Sequence, residues 1–219
     1  MDENKQMVLQ FGIKHAMQQL QKNNMDAYYA VTKEEAVRKV EGMLHPGDVV
    51  ATGGSVTLKE SGVMDLLRSG AYRYLDQEES GLSAEEKQEI YHKAFCADVY
   101  LCSANAVTMD GELYNVDGNS NRVAALLYGP KSVIVVAGYN KLVENVEEAV
   151  ARVKRLSAPA NCLRLHCDTP CSKTGRCVSE RMGGGCGSQG RVCANYVVSA
   201  RQRVPGRIKV ILVGESLGY

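Results

Sequence analysis

Asp117 and Arg122 stand together in the stretch YNVDGNSNR, between a β-like run and the apolar run VAALLYG. A carboxylate there can act as a base or orient one. A guanidinium can clamp an oxyanion. An arginine in the first turn of a helix sits at the positive end of the macrodipole, an unfavourable place unless an anion lies close. Asn105 and Asn121 add donors and acceptors, and Gly118 lets the backbone turn tightly. Asn, Asp and Ser also favour turns and N-caps, so a capped strand-to-helix turn accounts for part of this composition. Asp117 and Arg122 are the candidate catalytic pair.

Two further loops carry the right residue types. ATGGSVT offers Gly53, Gly54, Ser55 and Thr57 between a strand and a helix start, where backbone amides and hydroxyls can hold a phosphate or carboxylate. Its spacing matches neither the P-loop nor the dinucleotide GxGxxG pattern, and a plain turn with Ser55 as N-cap remains open. VAGYNKLV places Asn140 and Lys141 at the end of the next buried strand. A parallel sheet would bring that cation to the same crevice.

A fourth constellation is the run of thiols. Of eight cysteines, six (162, 167, 171, 177, 186 and 193) fall near the carboxyl end. Cys171, Cys177, Cys186 and Cys193 in a Gly-rich loop are candidate ligands for an iron–sulfur cluster, with zinc as the alternative, and His166 lies among them. No paired CxxC is present, so neither a zinc ribbon nor a ferredoxin pattern is matched. Arg164, Arg176, Arg181 and Arg191 would offset the thiolate charge, whereas Cys96 and Cys102 read as small core residues. A basic loop with free thiols is the alternative.

These residues need a frame, and the chain predicts one by alternation. A helical stripe runs over about 5–23, DAYYAV is a strand, and Thr32 with Glu35 forms a capping box opening the next helix. DVVAT is a buried strand, followed by a helix from Ser55 to about Gly70 with Gly62 inside it. AYRYL is a strand, Ser83 with Glu86 opens another helix, and ADVYLCS is again a strand. Asp110-Gly111 predicts a two-residue hairpin. NRVAALLY is a helix, SVIVVAG a strand, ENVEEAVARVKRL a helix and RIKVILVG the last strand. Helices between strands predict a three-layer, Rossmann-like α/β fold with a mostly parallel sheet and ligands at the carboxyl ends of its strands. One domain is expected over 1–219, with a cysteine-rich basic insertion over 160–196.

Composition agrees. The chain has 219 residues, 45% of them hydrophobic and 23% charged, enough for a core of its own. The net charge of +1 hides an asymmetry: Arg152 to Val210 holds twelve Lys or Arg against two acidic residues. VIVVA is too short to cross a bilayer, and MDENKQMVLQ lacks signal-peptide character, so a cytoplasmic location without a membrane span is expected.

GGSVTLKESGVMDLL, the run from Ser103 to Lys154 and APANCLRLHCDTPCSKTGRC together resemble the LUD-domain, or lactate-utilisation, family, nearest to its LutC-like branch. The resemblance implies a fold like that of ribose-5-phosphate isomerase, glucosamine-6-phosphate deaminase and CoA transferases. It also implies association with oxidation of lactate or a related 2-hydroxy acid, often beside iron–sulfur subunits. Gly53, Gly54 and Ser55 match the family's ligand loop, and Asn105, Asp117, Gly118, Asn121 and Arg122 match its polar signature. The chain departs from the pattern where VSERMGGG separates Cys177 from Cys186.

The expected partners are thus a small anionic metabolite, iron–sulfur subunits and a second copy of the chain, with no membrane and no nucleic acid. Two other readings stay open. One is a non-enzymatic metabolite-binding or regulatory module with a metal-binding basic loop, and the other is an enzyme acting on phosphosugars or CoA esters.

Overall fold

The computed structural model describes residues 2–219. Its strands are β1 (Asp26–Ala30), β2 (Val49–Thr52), β3 (Arg73–Leu75), β4 (Val99–Cys102), β5 (Ala106–Thr108), β6 (Leu113–Asp117), β7 (Ser132–Gly138), β8 (Leu142–Val143), β9 (Asn195–Ser199) and β10 (Ile208–Val213). The helices are α1 (Glu3–Lys22), α2 (Lys33–Glu41), α3 (Val56–Glu60), α4 (Val63–Leu67), α5 (Ala84–Lys93), α6 (Asn121–Tyr128), α7 (Val146–Arg152), α8 (Ala158–Arg164) and α9 (Pro170–Thr174).

Six strands form an all-parallel sheet in the order β1-β10-β7-β4-β2-β3. Side chains of a strand alternate between faces, and β7 shows the result. Val133, Val135 and Ala137 pack with Ile13, Ala16 and Leu20 of α1 and Leu126 of α6. Ile134 and Val136 pack on the other face with Val40 of α2, Leu58 of α3 and Leu67 of α4. A helix layer therefore covers each face, as the alternation of elements predicts.

A second sheet was not legible as such. β5 and β6 pair as the expected antiparallel hairpin, with β8 added parallel to β5 and β9 antiparallel to β6. Tyr114 and Ala106 of this sheet pack with Ala149, Val150 and Val153 in a separate apolar cluster. The hairpin turn is longer than two residues: Thr108 N donates to the Glu112 carbonyl, and only Gly111 takes positive φ, +78°. This is the geometry of a three-residue loop with glycine in the left-handed position.

Local signals explain other departures. The helix expected from Ser55 breaks at Gly62, whose φ is +84°, into α3 and α4. Ser83 and Glu86 make the complete capping box. Thr32 accepts from Glu35 N at 3.3 Å, but the Glu35 carboxylate takes Val31 N instead of Thr32 N, so that box is half formed. Cys96 is exposed and not in the core, whereas Cys102 is buried. Val153–Ser157 forms a π-helical turn between α7 and α8, a wider winding that recurs beside functional sites. No helix among the described residues is long and apolar enough to cross a membrane.

Candidate functional site

The sheet order sets three loops side by side. β7, β4 and β2 are neighbours, so Gly138–Lys141, Ser103–Asn105 and Gly53–Ser55 leave the sheet at one edge. The helix after β2 packs on one face and α6 on the other, so the crevice opens between them, at the carboxyl ends of the strands.

Lys141 lies at the floor of that crevice, 3% exposed. Its Nζ donates to Thr57 Oγ1 at 2.7 Å, Ser103 Oγ at 3.0 Å and the Ala104 carbonyl at 3.1 Å. All three partners are neutral. Burial is the largest cause pulling its pKa down, followed by the nearby Arg152 and Arg122 guanidinia, to about 7. An amine in that state is part neutral at physiological pH and able to act as base or nucleophile.

Above it is a cleft of about 450 Å³. Gly54, Ser55, Thr57, Asn105, Asp117, Gly118, Asn121, Arg122 and Lys141 all line it, so most of the sequence-read ligand set is brought together. Gly53 and Asn140 do not line it. A Cβ on Gly53 would lie 2.6 Å from Arg122 Cγ and 2.8 Å from Tyr100 Oη, so this glycine makes room for the arginine. Asn140 donates to the Gly218 carbonyl and accepts from Leu217 N, tying down the carboxy-terminal segment. Gly54 is the reverse case: a Cβ there meets nothing within 4 Å.

Arg122 is engaged mainly by protein oxygens. Its guanidinium donates to Asn115 Oδ1 at 2.6 Å, Val116 O at 2.7 Å, Asn105 Oδ1 at 3.1 Å and Ser103 O at 3.2 Å. Asp117 Oδ2 stands 3.8 Å from its Nε. These bonds lock the ends of β4 and β6 together, and they supply the negative partners that a first-turn arginine needs. Asp117 also accepts from Ser120 N at 3.3 Å and Val123 N at 3.2 Å. It therefore caps α6, whose own N-cap residue Ser120 sits in the left-handed region at φ +67° and makes no side-chain cap bond.

Sequence reasoning did not place Arg164, Asn161 and Ser157 in this cleft. Arg164 on α8 is exposed and bonds Asn161 Oδ1 and Tyr219 Oη. Arg152 reaches beneath the loops to Asn140 O, Asn105 O and Ser157 Oγ. Arg164 and Arg191, read from sequence as counter-charges for thiolates, both line the cleft.

The cysteine segment is organised by cations. Lys154, 1% exposed, donates to the Gly184 carbonyl and to Tyr196 Oη, and its ammonium lies 5.0 Å above the Tyr196 ring. The Arg191 guanidinium gathers the carbonyls of Cys193, Cys186 and Gly183. A Cβ on Gly185 would lie 2.6 Å from Arg191 Cζ, so the glycine lets the backbone wrap the guanidinium. Cys171 and Cys162 are buried with their sulfurs 3.7 Å apart, and Cys171 also meets Thr169 Oγ1 at 3.3 Å. Among the described residues no group of three or more His, Cys, Asp or Glu side chains is placed to hold a metal ion. As folded here, Cys171, Cys177, Cys186 and Cys193 are not gathered into one such group.

The LUD domain profile matches residues 13–213, nearly the whole chain. The chain belongs to the LUD-domain family. The crystal structure of a DUF162 family protein from Deinococcus radiodurans is similar to this LUD domain, with 17% identity and a TM-score of 0.50 over 95% of this chain and 98% of that one. Ribose 5-phosphate isomerase A from Methanocaldococcus jannaschii is a weaker likeness: 15% identity and a TM-score of 0.38 over 83% of this chain and 93% of that one. No curated protein matches the chain.

Proposed function

We propose that this LUD domain binds a small carboxylate of the 2-hydroxy-acid or 2-oxo-acid class in its cleft and serves oxidation of lactate or a related acid. The observation that supports it is charge. Arg122, Lys141, Arg164 and Arg191 line the cleft with Asp117 as the one acidic side chain. Low-dielectric walls focus such a field and favour an anion. Lys141 has only neutral hydroxyl and carbonyl partners, so a ligand carboxylate would supply the missing negative charge.

Membership of the LUD, or lactate-utilisation, family supports lactate or a related acid as the ligand. Removing two electrons from a 2-hydroxy acid needs an acceptor, which in this reading is a partner iron–sulfur subunit. The cysteine segment, with its basic side chains, lies beside the cleft mouth through Gln189–Cys193 and is the side on which such a partner would dock.

Calorimetric titration tests the reading. Lactate and pyruvate should bind, and Arg164→Ala, which removes an exposed cation at the rim, should weaken them roughly 3- to 10-fold without loss of stability. Binding of ribose 5-phosphate or a CoA ester with no response to either acid would replace this reading with the phosphosugar or CoA-ester alternative. Binding of the acids with no turnover alongside any iron–sulfur partner would leave a metabolite-sensing module.

A further inference from the structure

We propose that Lys141 is a carbonyl-adding lysine: its Nζ forms a Schiff base with the C2 carbonyl of a 2-oxo acid seated in the cleft. The inference rests on the carboxylate-binding reading and adds covalent chemistry to it.

Three observations carry it. The amine is at the cleft floor and has no carboxylate partner to hold it charged; its bonds go to Thr57 Oγ1, Ser103 Oγ and Ala104 O. Its charged form is disfavoured by burial first and then by two guanidinia, the two circumstances that free a lysine for nucleophilic work. Lastly, two hydroxyls lie within hydrogen-bond reach of the nitrogen and also line the cleft, where a proton must be handed on. A lysine serving only to fill the core would not need hydroxyl partners on two residues that line the cleft.

The step balances without an oxidant. Neutral Nζ donates its lone pair to C2, the carbonyl π bond breaks, and the oxygen takes a proton that the nitrogen gives up, leaving a neutral carbinolamine with one N–H. Nitrogen then loses a proton while the C2 hydroxyl takes one and leaves as water, giving the imine. Thr57 and Ser103 can carry these protons between nitrogen and oxygen. The ligand carboxylate faces the remaining cations of the cleft.

The test is reductive trapping with pyruvate. Wild-type protein is incubated with pyruvate and sodium borohydride, digested and mapped by mass spectrometry, while pyruvate binding is measured separately by calorimetry. A reduced pyruvate adduct on Lys141 is expected, rising in yield between about pH 6 and about pH 8 as the amine loses its proton. Lys141→Met should be folded and carry no adduct there, and Thr57→Val should trap at least ~10-fold more slowly while still binding pyruvate. Intact pyruvate binding with no adduct at Lys141, or labelling spread over surface lysines and unchanged in Lys141→Met, overturns the inference and leaves the carboxylate reading standing. Failure of pyruvate to bind at all removes both.

Discussion

Lys141 Nζ and Thr57 Oγ1 meet at 2.7 Å across 84 residues of sequence, joining the end of β7 to the helix that follows β2. Thr57 in turn donates to the Leu217 carbonyl at 3.2 Å. One short chain of polar contacts therefore connects two strand-end loops and the carboxy-terminal segment beneath the cleft. A buried cation at the centre of that chain has a thermodynamic cost, and the cost depends on pH.

Between about 7, the depressed folded value, and 10.5, the ordinary one, Lys141 is protonated in the unfolded chain and neutral in the folded chain. The unfolded state then binds more protons, so stability rises with pH across this window; below about 7 the cost is fully present. The groups acting on the amine are Arg152 and Arg122, which lower its pKa, and Glu60 and Cys102, which raise it. Lys141→Met should stabilise the protein by roughly 1–3 kcal/mol at about pH 6 and lose that gain towards about pH 10, where only the orphaned hydroxyls remain. Thermal unfolding of both proteins against pH checks it. A stability difference that does not change with pH would show the amine to be charged throughout.

Arg122 should behave as a structural residue whatever its part in binding. Arg122→Ala leaves Asn115 Oδ1, Val116 O and Ser103 O without their donor in a largely buried place, an expected loss of roughly 2–4 kcal/mol by chemical denaturation. Arg122→Lys should restore only a fraction, because an ammonium cannot reach both strand ends from one planar fork. A variant as stable as the wild type would mean that these oxygens find water instead.

The two adjacent glycines should separate folding from binding. Gly53→Ala pushes a methyl into Arg122 and Tyr100 and should cost roughly 1–3 kcal/mol. Gly54→Val points into open space, so it should fold normally and, if the ligand approaches this turn, bind lactate or pyruvate much more weakly. Normal affinity in Gly54→Val would move the ligand away from the glycine turn.

Lys154 and Arg191 should control the order of the cysteine segment. Arg191→Ala removes the donor shared by three loop carbonyls, and Lys154→Met removes the bond to Gly184 O. Each should speed proteolytic cutting within 179–192 by about 10-fold or more, while the parallel sheet keeps its protection from hydrogen exchange. Unchanged cutting in both variants would mean that something other than these cations holds the loop.

Much of this was readable because it is local. The apolar runs of β7 and β10 and the helical stripe of α1 announce buried strands and a covering helix without reference to anything distant. Lys141 was readable too, since a polar residue just past a buried strand in an α/β chain falls at the ligand edge. What was not readable depends on long-range pairing. β9, from Asn195, follows an irregular segment and gains its identity only by pairing with β6. Lys154 reads as a surface residue by its type, yet it follows Val146 and Val150 at four-residue steps on the apolar stripe, and in the π-helical turn its side chain is buried. Arg122 carries the subtlest lesson. Its type and position ask for a negative partner, but four backbone and amide oxygens of its own neighbourhood answer.

Because Cys177 N donates to the Lys154 carbonyl and Lys154 Nζ donates to the Gly184 carbonyl, the stretch between Cys177 and Gly184 begins and ends on one fixed residue. A span held in this way can change length cheaply: doubling a flexible loop adds only about 0.6 kcal/mol of closure entropy. The length of VSERMGGG between Cys177 and Cys186 is then something the sheet does not register. The geometry of three strand ends constrains the cleft edge, whereas this span answers only to its local attachments to Lys154 and Arg191.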